Sequence, residues 1–65
     1  MNVIQIINAA EKQVNIERLV IWNPFTSRAL FVGVKEEIPK TLCNKEVTAY
    51  RYDKDKKRMI LRVQA

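Results

Sequence analysis

Six cations gather around one short loop near the end of this 65-residue chain. Arg51, Lys54, Lys56, Lys57, Arg58 and Arg62 lie on or beside Asp53-Lys54-Asp55-Lys56-Lys57, with Tyr50 and Tyr52 next to them. A basic β-ribbon carrying aromatics has a definite chemistry: Lys and Arg follow phosphates and release counterions, and Tyr stacks on bases. These eight residues are the candidate nucleic-acid contacts. The same composition also serves a plainer purpose, because Lys on an edge hairpin blocks unwanted strand pairing. Asp53 and Asp55 interrupt the positive patch and favour the plainer use.

The remaining chemistry is sparse. The absence of His removes the commonest general base and the usual nucleophilic triads. Cys43 would need a lowered pKa to act as a nucleophile, and Lys45 is the one cation close to it in sequence. A small apolar residue packed on the core accounts for it more simply. Asp53 and Asp55 are spaced carboxylates, but Lys54 and Lys56 interleave with them, and calcium asks for six or more oxygens. One Gly leaves no glycine-rich phosphate loop. The expectation is a non-enzyme with no cofactor, no metal and no small-molecule substrate.

A second feature is apolar. Residues 19–22 and 30–34 are short runs of β-forming residues. Between them Asn23-Pro24-Phe25-Thr26-Ser27 carries Asn and Pro at the first two positions of a type I turn. Asn23-Pro24-Phe25 is also a peptide motif bound by some eukaryotic trafficking domains, although a proline turn with a part-exposed Phe accounts for it. Both strands of this first hairpin are apolar on both faces, so at least one is expected to be central or to meet a second surface. Val20, Trp22, Phe25 and Phe31 are the candidate protein interface, since Trp and Phe are enriched at interfaces. Gly33 marks a bulge or a close backbone approach.

The elements that must position these groups follow from periodicity. In residues 1–15, Val3, Ile4, Ile6, Ile7, Ala10 and Val14 fall on one helical face, with Asn2 as N-cap and Gln5 completing a capping box. Glu11 is the one charge inside that face, and Asn15 is a plausible stop. Pro39 suits the first turn of a short helix over residues 39–44, anchored by Ile38 and Leu42. Residues 46–52 and 58–64 form a second hairpin. In its last strand Met59, Leu61 and Val63 alternate with Arg58, Ile60, Arg62 and Gln64, giving one dry face. In its first strand the reading places Val47 and Ala49 inward, which leaves the tyrosines beside Arg58 and Arg62. The two hairpins make a rough pseudo-repeat.

Composition sets the frame. An apolar fraction of 48% and a charged fraction of 29% describe a globular chain rather than a disordered one. A lone Cys excludes an internal disulfide. No apolar run reaches the roughly 18 residues of a membrane span, and the N-terminal stretch lacks the features of a signal peptide. The expectation is a cytoplasmic protein. Residues 1–39 hold four basic and four acidic side chains, whereas residues 40–65 hold eight and three, so the whole net charge of +5 lies in the second part.

From Leu30 to Val47 the chain reads Leu30-Phe31-Val32-Gly33, Glu37-Ile38-Pro39, Leu42 and Glu46-Val47. This succession of hairpin, Gly, Ile-Pro connector and second hairpin resembles small, mostly uncharacterised phage and prophage proteins of Gram-positive bacteria. The resemblance covers about residues 18–65 and transfers no binding residue. It implies a bacterial host cell and an accessory role.

These readings converge on one α+β domain over residues 1–65. Its elements come in the order αββαββ, with a four-stranded, mainly antiparallel sheet and one packed helix. The expected function is a non-enzymatic protein-interaction module of phage or mobile-element type. Its partner is an unknown protein or a second copy of itself, in a homodimer. The alternative is a small nucleic-acid-binding protein that uses the second hairpin.

Overall fold

Asn2 starts the first helix as the sequence leads one to expect. Its side chain accepts the Gln5 N–H at 3.0 Å, and the Gln5 side chain accepts the Asn2 N–H at 2.9 Å, so two orphan donors of the first turn are satisfied reciprocally. The computed structural model describes residues 1–64. Helix α1 spans Val3–Glu11 and buries Val3, Ile6 and Ile7. It is shorter than the apolar pattern suggests. The chain leaves the helix after Lys12 in turns that close on the Ala10 carbonyl. Glu11, the charge in the apolar arc, stays exposed and meets Lys35 at 3.2 Å.

Four strands follow: β1 Arg18–Asn23, β2 Arg28–Gly33, β3 Val47–Asp53 and β4 Arg58–Val63. They form one mixed sheet in the order β2-β1-β4-β3. Each hairpin is antiparallel, and the two hairpins join through a parallel pairing of β1 with β4 at the centre. The connector between the hairpins therefore runs from one edge of the sheet to the other. It does so through a 3-10 turn, Lys35–Glu37, and a single-turn helix α2, Lys40–Cys43. Ile38 and Leu42 anchor it, both buried.

The core lies between the sheet and these two helices. Leu19 and Ile21 of β1, and Met59, Leu61 and Val63 of β4, pack on Val3, Ile6, Ile7, Ile38 and Leu42. Full burial of a side chain such as Ile7, Ile21 or Leu61 contributes roughly 1.5–3 kcal/mol, and all three are 0% exposed. Both helices supply this one side of the sheet. The chain has a radius of gyration of 10.6 Å, against about 10.7 Å expected for a compact domain of this length.

Two local irregularities set which side chains face where. The β1–β2 register shifts between Ile21 and Trp22, which leaves Leu30 as the extra residue of β2. Phe31 then opposes Ile21 and packs on the core side, and its ring lies over Gly33. Gly33 is thus a close approach, while the bulge sits at Leu30. In β3 the register shifts between Val47 and Ala49. Thr48 is the extra residue, and its hydroxyl donates to the Arg62 carbonyl at 3.3 Å. Val47 points inward as expected, but the bulge inverts the phase after it. Ala49 opposes Arg62 and faces outward, whereas Tyr50 and Tyr52 oppose Leu61 and Met59 on the helix side.

Candidate functional site: the open face of the sheet

Side chains alternate across a strand, so each residue on the core side has two outward neighbours. In β1 these are Arg18, Val20 and Trp22, flanking the buried Leu19 and Ile21. In β4 they are Arg58, Ile60 and Arg62, flanking Met59 and Leu61. The parallel register sets Arg18 beside Arg58, Val20 beside Ile60 and Trp22 beside Arg62. The edge strands extend each row. Asp53 follows Arg58, Arg51 follows Ile60, and Ala49 follows Arg62. On the other side Val32 meets Val20, and Ala29 meets Trp22.

The result is a grid of three rows. The first holds Arg18, Arg58 and Asp53. The second is apolar until its end, with Val32, Val20, Ile60 and then Arg51. The third holds Ala29, Trp22, Arg62 and Ala49. Among the described residues no helix or loop is packed on this face in the manner of α1 and α2 on the other. Val20, Trp22 and Ile60 are half-buried, their rims open to solvent. Val20, Trp22, Arg58, Ile60 and Arg62 line a shallow hollow of about 320 Å³.

Electrostatics on the grid are one-sided. Four of the chain's five arginines stand on it, Arg28 being the exception, and none of its seven lysines does. Asp53 is its one carboxylate, and it is engaged. Its Oδ1 accepts the Asp55 and Lys56 N–H groups at 3.1 and 3.4 Å, and its Oδ2 lies 3.4 Å from Nη2 of Arg58. Burial alone would raise the Asp53 pKa. The two backbone donors and the charges of Arg58 and Lys56 outweigh it, so the carboxyl sits below its ordinary value of 3.8. Arg58 meets Asp53 through Nη2, while its Nε is buried with no hydrogen-bond partner. Among the described residues, Arg18, Arg51 and Arg62 form no ion pair with a carboxylate.

The two groups of residues singled out in the sequence are thus partly merged and partly dispersed. Val20 and Trp22 from one, and Arg51, Arg58 and Arg62 from the other, share this face. Phe31 does not belong with Val20 and Trp22, because the Leu30 bulge turns it to the helix side. Phe25 is at the tip of the first turn, 81% exposed, beyond the Trp22 end of the grid. Lys54, Lys56 and Lys57 are exposed in the second turn, beyond the opposite end, where the Lys57 carbonyl accepts the Glu17 and Arg18 N–H groups. Tyr50 and Tyr52 do not stand beside Arg58 and Arg62. They wall a groove against Ile6, Ala10 and Val14 of the helical segment.

Sequence reasoning left out Arg18, Ile60, Val32 and Ala49. The patterns Arg18-x-Val20-x-Trp22 and Arg58-x-Ile60-x-Arg62 carried a signal, since each reads as the outer face of a strand with a dry inner one. Cys43 is half-buried on the connector, its Sγ 3.9 Å from the Ile38 carbonyl oxygen, as suits a packing residue. Among the described residues no cluster of His, Cys, Asp and Glu is placed to hold a metal ion, and no helix is long and apolar enough to cross a membrane. No protein-family model, curated protein or solved structure matches the chain.

Proposed function

We propose that the protein is a non-enzymatic interaction module that binds a partner protein through the open face of its sheet. The setting is that of a phage or mobile-element accessory protein in the host cytoplasm. The observation that supports this reading is the composition of the grid. A half-buried Trp and a row of aliphatic side chains are flanked by arginines, with no lysine among them. Trp and Arg are the residues that dominate binding energy at protein interfaces, and Lys is depleted there. Nucleic-acid contacts draw on Lys as freely as on Arg, and the aromatics that would stack bases, Tyr50 and Tyr52, lie on the opposite side.

A photo-crosslinking residue at Ala49, on the open face, and another at Glu36, off it, test the reading in lysate of the native host. The expected result is a discrete protein adduct from position 49 that position 36 does not give, and that Trp22→Ala abolishes. Equal capture from both positions, or none from position 49, overturns it.

A second reading has its own observation. Lys54, Lys56 and Lys57 continue the positive charge of Arg18 and Arg58 past the end of the grid, as a groove that follows phosphates would require. In that case single-stranded DNA or RNA binds with a steep salt dependence, and charge reversal at Lys56, Lys57 and Arg58 removes the binding.

A further inference from the structure

We infer that the occupant of the open face is an extended acidic segment of another protein, in which carboxylates flank an apolar residue. The inference rests on the interaction-module reading and adds the chemistry of the partner.

Three features of the grid define that occupant. The first is charge. Arg18, Arg51, Arg58 and Arg62 face outward with one carboxylate among them, and Asp53 is already held by Arg58 and two backbone donors. A second copy of the chain does not fit. A twofold pair sets the same patch against itself, and here that brings guanidinium against guanidinium, which disfavours the contact.

The second feature is unused donor capacity. A guanidinium presents five N–H donors in a fork matched to a carboxylate. Arg18, Arg51 and Arg62 are exposed and, among the described residues, pair with no carboxylate. All four cations are Arg rather than Lys, which favours bidentate carboxylate recognition over a diffuse field.

The third feature is spacing. Along β4 the outward residues are Arg58, Ile60 and Arg62, in steps of about 6.6 Å. Along β1 they are Arg18, Val20 and Trp22. A segment lying extended over these central strands also presents every second side chain to the sheet, at the same step. The pattern acid-x-apolar-x-acid then sets a carboxylate over Arg58, an aliphatic group in the hollow beside Val20 and Ile60, and a second carboxylate over Arg62.

Trp22 is the one tryptophan of the chain and stands beside Arg62 in the register, so its fluorescence reports occupancy directly. The probe is a short synthetic peptide repeating Glu-Ser-Val-Ser, titrated at about 0.15 M salt, where exposed charges are screened beyond about 8 Å. The expected result is a saturable change in Trp22 emission that Arg62→Glu weakens roughly tenfold, with Arg62→Gln intermediate. The same peptide with Lys in place of Glu gives no change. Arg62 is exposed, so both variants are expected to fold, and far-UV circular dichroism is the control that checks it.

No response to the Glu peptide overturns the inference, as does an equal response from Arg62→Glu or from the Lys peptide. Single-stranded DNA displacing the Glu peptide at that salt overturns it in favour of a nucleic-acid surface. If the Glu peptide fails while position 49 still yields its protein adduct, the interaction module stands and the acidic segment falls. If both fail, the module reading falls with it.

Discussion

The hydroxyl of Tyr52 donates to the carbonyl of Asn15 at 2.6 Å. This bond joins the outer strand of the second hairpin to the segment that leaves helix α1, 37 residues away in sequence. It also explains why the tyrosine is turned to the helix side, where its ring packs on the core. The aromatic that the sequence offers for stacking a base is occupied in closing the fold.

Tyr52→Phe keeps the ring and removes the bond. The Asn15 carbonyl is exposed enough to recover water, so the expected cost is about 1 kcal/mol. In a domain of this size that lowers Tm by roughly 4–8 °C, read by thermal denaturation. The open face lies on the other side of the sheet, so the Trp22 emission of folded Tyr52→Phe matches that of the wild type. An unchanged Tm would show that the hydroxyl adds nothing to the fold.

How far the sequence reveals this arrangement depends on the element. The capping box of Asn2 and Gln5, the anchors Ile38 and Leu42, and the dry face of Met59, Leu61 and Val63 are all legible, because each is a local pattern with a local cause. The α+β order of elements follows from them. The face assignment of Phe31, Ala49, Tyr50 and Tyr52 is not legible. It turns on two single-residue bulges, at Leu30 and Thr48, and a shift by one residue sends every later side chain to the other face. The parallel seam between β1 and β4 is equally hidden, since it joins residues 40 apart, Arg18 and Arg58 for instance. Without that seam, Val20 and Trp22 read as one site and Arg58 and Arg62 as another. With it, they are adjacent columns of a single surface.

Gly33 and Phe31 make a second testable pair. A Cβ added at Gly33 would lie 2.9 Å from Cζ of Phe31, closer than carbon atoms pack. The obstacle is the tip of a half-buried ring, which can tilt away. Gly33→Ala is therefore expected to destabilise by about 1 kcal/mol, the lower end of the overpacking range. In Phe31→Leu the tip is gone, and adding Gly33→Ala to that background should cost less than it does alone. A double-mutant cycle by urea unfolding measures the coupling. Strictly additive effects would mean that the ring does not rest on the glycine.

The two hairpin turns share one conformation, and a small substitution tests it. Asn23 and Asp53 each accept the N–H of the residue two positions on, and Ser27 and Lys57, four positions on, have φ of 54° and 51°. Both lie in the left-handed region, which costs a non-glycine residue about 1–2 kcal/mol relative to the right-handed one. Ser27→Gly relieves that cost and loses part of the gain to chain entropy. The expected net stabilisation is about 0.5 kcal/mol, seen as a higher urea midpoint, with a similar gain for Lys57→Gly. The pair of Lys57 with Glu17, at 3.9 Å and well exposed, is too weak to mask it. A loss of stability in Ser27→Gly would exclude the left-handed turn.

Asp53 ties stability to pH, and the sign follows from its depressed pKa. Two backbone N–H donors and the neighbouring cations Arg58 and Lys56 together outweigh the effect of burial, and hold the folded value below the ordinary 3.8. A carboxylate of that kind binds its proton more readily in the unfolded chain. Its stabilising contribution is present in full above the unfolded value and fades as pH falls through the folded one. Asp53→Asn separates charge from turn geometry, because an amide oxygen can still accept both N–H groups. Asn23 shows this in the first hairpin, where its Oδ1 accepts the Phe25 N–H at 2.9 Å. The variant should be the less stable protein near neutral pH. The gap in urea midpoint between the two should narrow below pH 3.8, as the wild type loses its advantage. A gap that stays constant across that range would mean that Asp53 titrates alike in the folded and unfolded chains, and that its carboxylate supports the turn by shape alone.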